Sequence, residues 1–418
     1  MRGVMHDLEW RGLVHQVTDP DLGKLLDEDR LTAYIGFDPT AESLHVGNLL
    51  QLCTLKRLQR GGHRAIGLLG GGTGMIGDPS GRTEERQLLD VERLDANLAG
   101  IRDQVERLLD PGAVIVDNGE WLRELRLTDF LRDIGKHFSV NEMTRKESVR
   151  VRLEGREQGI SYTEFSYMLL QAYDFMHLYD TYGCRLQLGG SDQWGNITEG
   201  IELIRRLRSG HAYGLTSPLL TLPGGSKMGK SVSGTVWLDA RKTSPYQFFQ
   251  YWVRGEDEHV GTYLRRLTFL DHDAIEDLER ATVEHPERRE AQRVLARELT
   301  TLVHGAEEAG RAEHAAEVLY SEDIAGLDER TFLDVLAEAP SAEVAGERLP
   351  VVDALVQTGL SPSKSAARKA IEQGGAYVNN RRVDGVEAEV GPGDLLHGRY
   401  VVVRRGKREQ ALLVIRPS

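Results

Sequence analysis

Two short stretches hold side chains whose types and spacing suit the handling of a polyphosphate. The first, Thr40-Ala41-Glu42-Ser43-Leu44-His45-Val46-Gly47-Asn48, joins an apolar run ending at Phe37 to a helical pattern. Free backbone N–H groups at a helix start attract anions, and Thr40 and His45 add side-chain donors beside them. The second, Gly225-Ser226-Lys227-Met228-Gly229-Lys230-Ser231, begins about 180 residues further on and sets two lysines three apart on a glycine-rich loop. Ammonium groups on such a loop can close over phosphate oxygens as charge develops there. Taken alone, each stretch has a plainer reading: a histidine satisfied by its neighbours, and an exposed basic turn. The glycine-rich run 70–74 is not a P-loop, because no Gly-Lys-Ser/Thr completes it. Arg82 and Arg86 follow it and, taken alone, read as solvated charges.

A third constellation is polar but not basic. Tyr167, Gln171 and Asp174 stand at i, i+4 and i+7, on one face of a helical pattern that is otherwise apolar. Such a stripe is either a satisfied core network or the lining of a polar pocket. Gly189-Gly190-Ser191-Asp192-Gln193-Trp194-Gly195-Asn196 closes a strand-like run, with glycines that permit close approach of a ligand.

The elements that must position these residues alternate. Strands are expected at 31–37, 64–70, 114–116 and 185–188, with helical stretches from Val46 to the Gly61-Gly62 stop, around 84–109 and around 164–181. Alternating strand and helix implies a parallel sheet covered on both faces. Ligands in such sheets lie beyond the carboxyl ends of the strands, where the polar stretches fall. After about residue 232 the pattern turns helical. Ser244-Pro245-Tyr246-Gln247 has the Ser cap, first-turn Pro and Gln of a capping box, and 287–304 carries apolar residues at helical spacing. Residues 338–349 lack periodicity and read as a linker. The tail reads as helices at 351–357 and from Ser361-Pro362, then strands at 376–379, 399–405 and 410–416.

Bulk properties narrow the class. With 418 residues, 40% hydrophobic and 28% charged, the chain is long enough for two or three globular domains. No apolar run is long enough to span a membrane, and the N-terminus has no signal-peptide core, so a cytoplasmic location is expected. Cys53 and Cys184 lack zinc spacing and read as buried free thiols. The net charge of −13 argues against a DNA-coating protein. Residues 349–418 nevertheless carry 11 basic and 7 acidic side chains, which marks that segment as the polyanion-binding end.

His45-Val46-Gly47-Asn48 and Lys227-Met228-Gly229-Lys230-Ser231, in this order, resemble the HIGH and KMSKS motifs of class I aminoacyl-tRNA synthetases. The residues between them resemble the bacterial-type tyrosyl-tRNA synthetases, and the likeness runs along essentially the whole chain. It implies an α/β, Rossmann-like parallel-sheet catalytic domain at 1–231, an all-helical anticodon-side domain at 232–337, a linker at 338–349 and a small α+β RNA-binding domain at 350–418. The implied chemistry is attack of a carboxylate on the α-phosphate of ATP, with pyrophosphate leaving. Positioned donors and cations supply such catalysis without a protein nucleophile.

The resemblance assigns Thr40, His45, Asn48, Arg82, Arg86, Lys227, Lys230 and Ser231 to that step. Tyr34 and Asp174 would bond a substrate phenol, and Tyr167, Gln171 and Asp78 its ammonium group. Gln193 would sit near the tyrosine α-carbon or the α-phosphate, with Thr73 and Gln187 in the wall. Gly36, Asp38, Gly47, Gly190, Asp192 and Met228 would contact ATP, Asp192 through the ribose hydroxyls. Lys364, Arg368, Lys369, Arg405, Lys407 and Arg408 would contact tRNA. The motifs depart from the family's common form at Asn48, which replaces His, and at Gly229, which replaces Ser. The implied ligands are L-tyrosine, ATP with accompanying Mg2+, and the tRNA for tyrosine. A homodimer built partly on 117–165 is implied, with no membrane, DNA, protein-bound metal or prosthetic group. The nearest rival is a tryptophanyl enzyme of the same class. Further rivals are a small-molecule nucleotidyltransferase and a non-catalytic RNA-binding protein on the same scaffold.

Overall fold

Near-continuous apolar runs build the central sheet. The computed structural model describes residues 3–80, 89–155, 159–220, 230–231, 234–346, 348–406 and 409–416. Strands β1 (Gln16–Val17), β2 (Thr32–Phe37), β3 (Arg64–Leu69), β4 (Val114–Asp117), β5 (Cys184–Gly190) and β6 (Tyr213–Ser217) lie in the order β1-β6-β5-β2-β3-β4. All neighbours are parallel except the short edge strand β1. Five of six residues in β2 and β3 are buried, as a sheet covered on both faces requires. The four strands expected from the sequence are present. β1 and β6 had no signal: β1 has two residues, and β6, Tyr-Gly-Leu-Thr-Ser, is short and interrupted by glycine.

Helices α1 (Val46–Arg60), α2 (Val91–Leu108), α3 (Glu147–Gly155), α4 (Tyr162–Tyr182) and α5 (Trp194–Arg208) connect or flank these strands. α4 starts on the side-chain cap of Ser161 and stops at Gly183, whose φ of 62° suits a residue without Cβ. The Cys184 and Cys53 thiols are buried and unpaired. Past the lysine-rich loop, β7 (Lys230–Ser231) pairs with β8 (Gly234–Thr235).

One compact unit comprises Met1–Thr243 with Glu256–Ala291, and a second comprises Ser244–Gly255 with Gln292–Ser418. The helical segment expected at 232–337 is thus shared between units. Helices Asp257–Leu267 and His272–Glu284 pack with the first. The reason is visible at the end of the 257–267 helix. Arg11 and Arg57, both buried, donate to the carbonyls of Arg265 and Thr268, satisfying acceptors that a helix end leaves open.

In the second unit the expected capping box on Ser244 and Gln247 is present. The stretch 338–349 is not a linker: β9 (Ser341–Ala345) lies within it and β10 (Leu349–Pro350) starts at its last residue. A five-stranded sheet runs β12 (Arg381–Arg382), β11 (Ala376–Val378), β14 (Tyr400–Arg405), β15 (Glu409–Arg416), β9, and β10 pairs with β13 (Glu389–Val390). β9 is an edge strand with Val344 as its one buried residue, so backbone pairing to β15 holds it and no apolar alternation announces it. Helices α6 (Val351–Gln357) and α7 (Lys364–Glu372) cover the sheet through Val352, Leu355, Ala367 and Ile371.

Candidate active site

The parallel sheet delivers four loops to one end. Register sets Phe37 beside Leu69 and Leu69 beside Asp117, so Asp38, Gly70 and Asn118 all emerge together. Gly190 ends β5 on the same side. A cavity of about 290 Å3 opens there. It is lined by Tyr34, Gly36, Asp38, Thr40, His45, Gly47, Asn48, Thr73, Asp78, Tyr167, Gln171, Asp174, Gln187, Gly190, Asp192 and Gln193. These sixteen are the candidates that the sequence nominated from three separate stretches. Lys227, Met228, Arg82 and Arg86 lie outside the described residues, and of Lys230 and Ser231 only the strand pairing is described.

At the start of α1 the phosphate-type turn is built as a reciprocal cap. His45 Nδ1 accepts from Gly47 N at 3.0 Å, and Asn48 Oδ1 accepts from His45 N at 3.0 Å. An Nδ1 that accepts leaves the ring proton on Nε2. Asn48 uses its oxygen for the cap and keeps its amide protons for a ligand. The turn is also held from outside: Val46 N donates to Val236 O, Leu238 N donates to Leu44 O, and the His45 and Trp237 rings meet edge-on with centroids 6.3 Å apart.

At the buried end of the cavity, Asp174 takes a 2.8 Å hydrogen bond from Asn118 Nδ2 and a 2.7 Å bond from Trp121 Nε1. Burial pushes its carboxyl up to about 8, although both donors favour the charged form. Burial, and secondarily the Asp174 charge, push the Tyr34 hydroxyl well above the ordinary phenol range. Among the described residues, Tyr34 Oη, Gln187 Oε1 and Gln51 Oε1 are buried without a hydrogen-bond partner. Such atoms also occur elsewhere among the described residues, for example Arg57 Nε, His63 Nε2 and Thr300 Oγ1; buried polar atoms are costly unpaired, and Tyr34, Gln51 and Gln187 all line one cavity, as a pocket for a polar ligand requires.

Two networks hold the remaining groups. Asp38 accepts from Tyr167 Oη and from Thr73 Oγ1, each at 2.9 Å, and Thr73 Oγ1 accepts from Asn118 Nδ2. Asp78 accepts from Gln193 Nε2 at 2.7 Å, Gln193 accepts from Gln171, and Asn196 donates to both glutamines. The second network gathers the Asp78 carboxylate and the Gln171 and Gln193 side-chain oxygens into one hydrogen-bonded cluster that lines the cavity, and acceptor oxygens attract a cation. Sequence reasoning missed Asn118, Trp121, Gln51 and Asn196 as site residues. Asn118 had a usable signal, since it follows an expected strand in a parallel sheet.

The profile of the family described as tRNA synthetases class I (W and Y) matches residues 26–321, and that of the Tyrosine--tRNA ligase SYY-like C-terminal domain matches 332–413. The Tyrosine--tRNA ligase of Roseiflexus castenholzii is 49% identical over 423 residues, covering 99% of both chains. That of Geobacillus stearothermophilus is 50% identical over 417 residues, covering 98% of this chain and 99% of the relative. The chain belongs to the tyrosyl branch of the class I tRNA synthetases. A crystal structure of a C-terminally truncated Aspergillus nidulans mitochondrial tyrosyl-tRNA synthetase superposes on 76% of this synthetase and 94% of that chain, with TM-score 0.70 and 32% identity. The first profile covers tryptophan and tyrosine enzymes alike. The second profile and the relatives at half identity select the tyrosine branch.

In the C-terminal part of the synthetase, Arg368 and Lys369 are exposed on α7. Lys364, also exposed, pairs with Asp353 at 2.7 Å, and Arg405 Nη1 donates to Leu360 O at 2.7 Å. Lys407 and Arg408 lie outside the described residues. Sequence reasoning passed over Arg381 and Arg382, both exposed on β12. Among the described residues no cluster of three or more His, Cys, Asp or Glu could hold a metal ion, and no helix is long and apolar enough to cross a membrane.

Proposed function

We propose that the chain is a cytoplasmic tyrosine–tRNA ligase that joins L-tyrosine to ATP, releases pyrophosphate, and transfers the tyrosyl group to the 3′ end of its tRNA. One observation carries the choice of amino acid: the buried, partnerless Tyr34 hydroxyl and the Asp174 carboxyl together at the closed end of the cavity. A phenol hydroxyl satisfies both at once. A phenyl ring would leave them unpaired, and sites built to bond a hydroxyl reject the analogue lacking it far more strongly than apolar pockets reject a methylene. An indole lacks the hydroxyl as well.

The substrate ammonium then lies among Asp78, Gln171 and Gln193, with Tyr167 beside it. Its carboxylate faces the α-phosphate of a Mg–ATP held by Asp38, Gly47 and Asp192. Thr40, His45 and Asn48 meet the phosphates, and Lys227, Lys230, Arg82 and Arg86 neutralise the pyrophosphate as it departs. These are interactions that strengthen as charge develops, the condition for catalysis rather than mere binding. Amino-acid-dependent ATP–pyrophosphate exchange over the twenty amino acids tests the reading. Exchange with tyrosine is expected; exchange with tryptophan instead would select the neighbouring branch.

The enzyme also acts as a homodimer in this proposal. Of the ten exposed large apolar side chains among the described residues, six fall between Leu127 and Tyr162. That density on one segment favours a self-contact. Sedimentation equilibrium should give twice the chain mass, and Leu127→Asp with Tyr162→Asp should shift it toward the monomer.

A further inference from the structure

We propose that Asn97, Gly100 and Gln104 on α2 are positioning residues for ATP, setting the loop that carries Thr40 and His45. The proposal rests on the reading of Thr40 and His45 as phosphate contacts. The three lie on one face of α2, and none lines the cavity. Asn97 is 1% exposed and donates from Nδ2 to Pro39 O at 2.9 Å. Gln104 is 3% exposed and uses both ends of its amide: Oε1 accepts from Leu44 N at 2.8 Å, and Nε2 donates to Ser43 Oγ at 3.1 Å. Between them, α2 comes so close to the loop that a Cβ on Gly100 would stand 2.1 Å from Glu42 O. Two buried amides and a glycine thus fix the short loop 39–44 at its start, middle and end.

The attachment continues to a second segment. Ser43 Oγ, held by Gln104, also accepts from Asp239 N at 3.2 Å. Asp239 follows Val236 and Leu238, whose backbones bond Val46 and Leu44, and that segment leads directly out of the β7–β8 pair with Lys230 and Ser231. Gln104 therefore joins the His45 turn to the exit of the lysine loop. The residues 81–88, with Arg82 and Arg86, lead into the start of α2 itself. Apolar side chains would pack a helix at lower desolvation cost than two buried amides. What the amides add is a fixed position for a polar loop, and a displacement of about 1 Å at a reacting centre can cost about 100-fold in rate.

Full-length Gln104→Leu and Gly100→Ala test this, alongside Gln104→Glu, which retains the acceptor for Leu44 N. Tyrosine affinity is measured without ATP by equilibrium dialysis, and pyrophosphate exchange is expressed per tyrosine-binding site. Gln104→Leu and Gly100→Ala should lower kcat per site by about 10- to 100-fold and raise KM for ATP, with tyrosine affinity unchanged. Gln104→Glu should recover part of the loss. Wild-type kcat and KM for ATP per site in Gly100→Ala and Gln104→Leu, or a parallel fall in tyrosine affinity, would overturn the proposal. His45→Ala separates the two readings. If it impairs exchange while the α2 variants do not, only this inference fails. If it leaves exchange intact, the phosphate-turn reading fails and takes the inference with it.

Discussion

Asp174 has no solvent exposure and two N–H donors, yet burial outweighs both bonds and pushes its carboxyl up to about 8. The folded protein therefore holds a proton that the unfolded chain, with an ordinary carboxyl near 3.8, releases. The sign follows from linkage: this group's contribution to stability is complete below about 4, declines as pH rises, and is lost once pH passes about 8. In urea titrations from pH 5 to 8, the stability of the unliganded enzyme relative to Asp174→Asn should fall steadily with pH. A flat difference would mean that Asp174 ionises normally. Tyr34→Phe removes one neutral hydrogen bond to the substrate, worth about 0.5–1.5 kcal/mol. Discrimination of tyrosine over phenylalanine in pyrophosphate exchange should therefore drop by about 2- to 13-fold, with kcat for tyrosine little changed. The Tyr167-Gln171-Asp174 stripe was legible in sequence because helical spacing exposes it. Asn118 and Trp121 were not. They reach Asp174 from 56 and 53 residues away, and only the order β2-β3-β4 brings them near.

Among elements, α3 and α4 are joined by a pair that the sequence did not suggest. Arg152 Nη2 meets Glu164 Oε2 at 2.7 Å, with side chains 2% and 1% exposed. Glu164 lies one turn before Tyr167 on α4, so the pair anchors the helix that carries the stripe. Removing one partner strands a buried charge, at about 3–5 kcal/mol, whereas replacing both with apolar residues of similar volume is often neutral. Arg152→Met should accordingly destabilise strongly in denaturant titrations, and the double variant Arg152→Met with Glu164→Leu should regain most of the loss. Equal losses in both variants would show that packing, not the charge, holds the two helices. The same distinction explains which elements were readable. β2, β3 and β5 advertise themselves because both faces are buried. β9 contributes backbone pairing with a mostly exposed face, so its polar sequence resembled a linker.

Over the whole molecule, charge is segregated along the chain. The net charge is −13, yet residues 349–418 carry an excess of base, 11 against 7. An acidic body repels tRNA, so a basic segment is where phosphate contact costs least. The fold narrows the contact further than composition could. Lys364 is exposed but paired with Asp353, and Arg405 is committed to the Leu360 carbonyl, whereas no ion pair is described for Arg368 and Lys369, exposed on α7. Phosphate contacts weaken binding uniformly when removed and reduce the salt dependence by about one unit of slope each. Arg368→Ala with Lys369→Ala should thus raise KM for tRNA in aminoacylation and flatten its dependence on salt. Lys364→Ala should do less, because its ammonium already has a counterion. Tyrosine-dependent pyrophosphate exchange, which needs no tRNA, should be unchanged in both variants. A loss of exchange equal to the loss of charging would place the defect in folding, and unaltered charging would remove α7 from the RNA-binding surface.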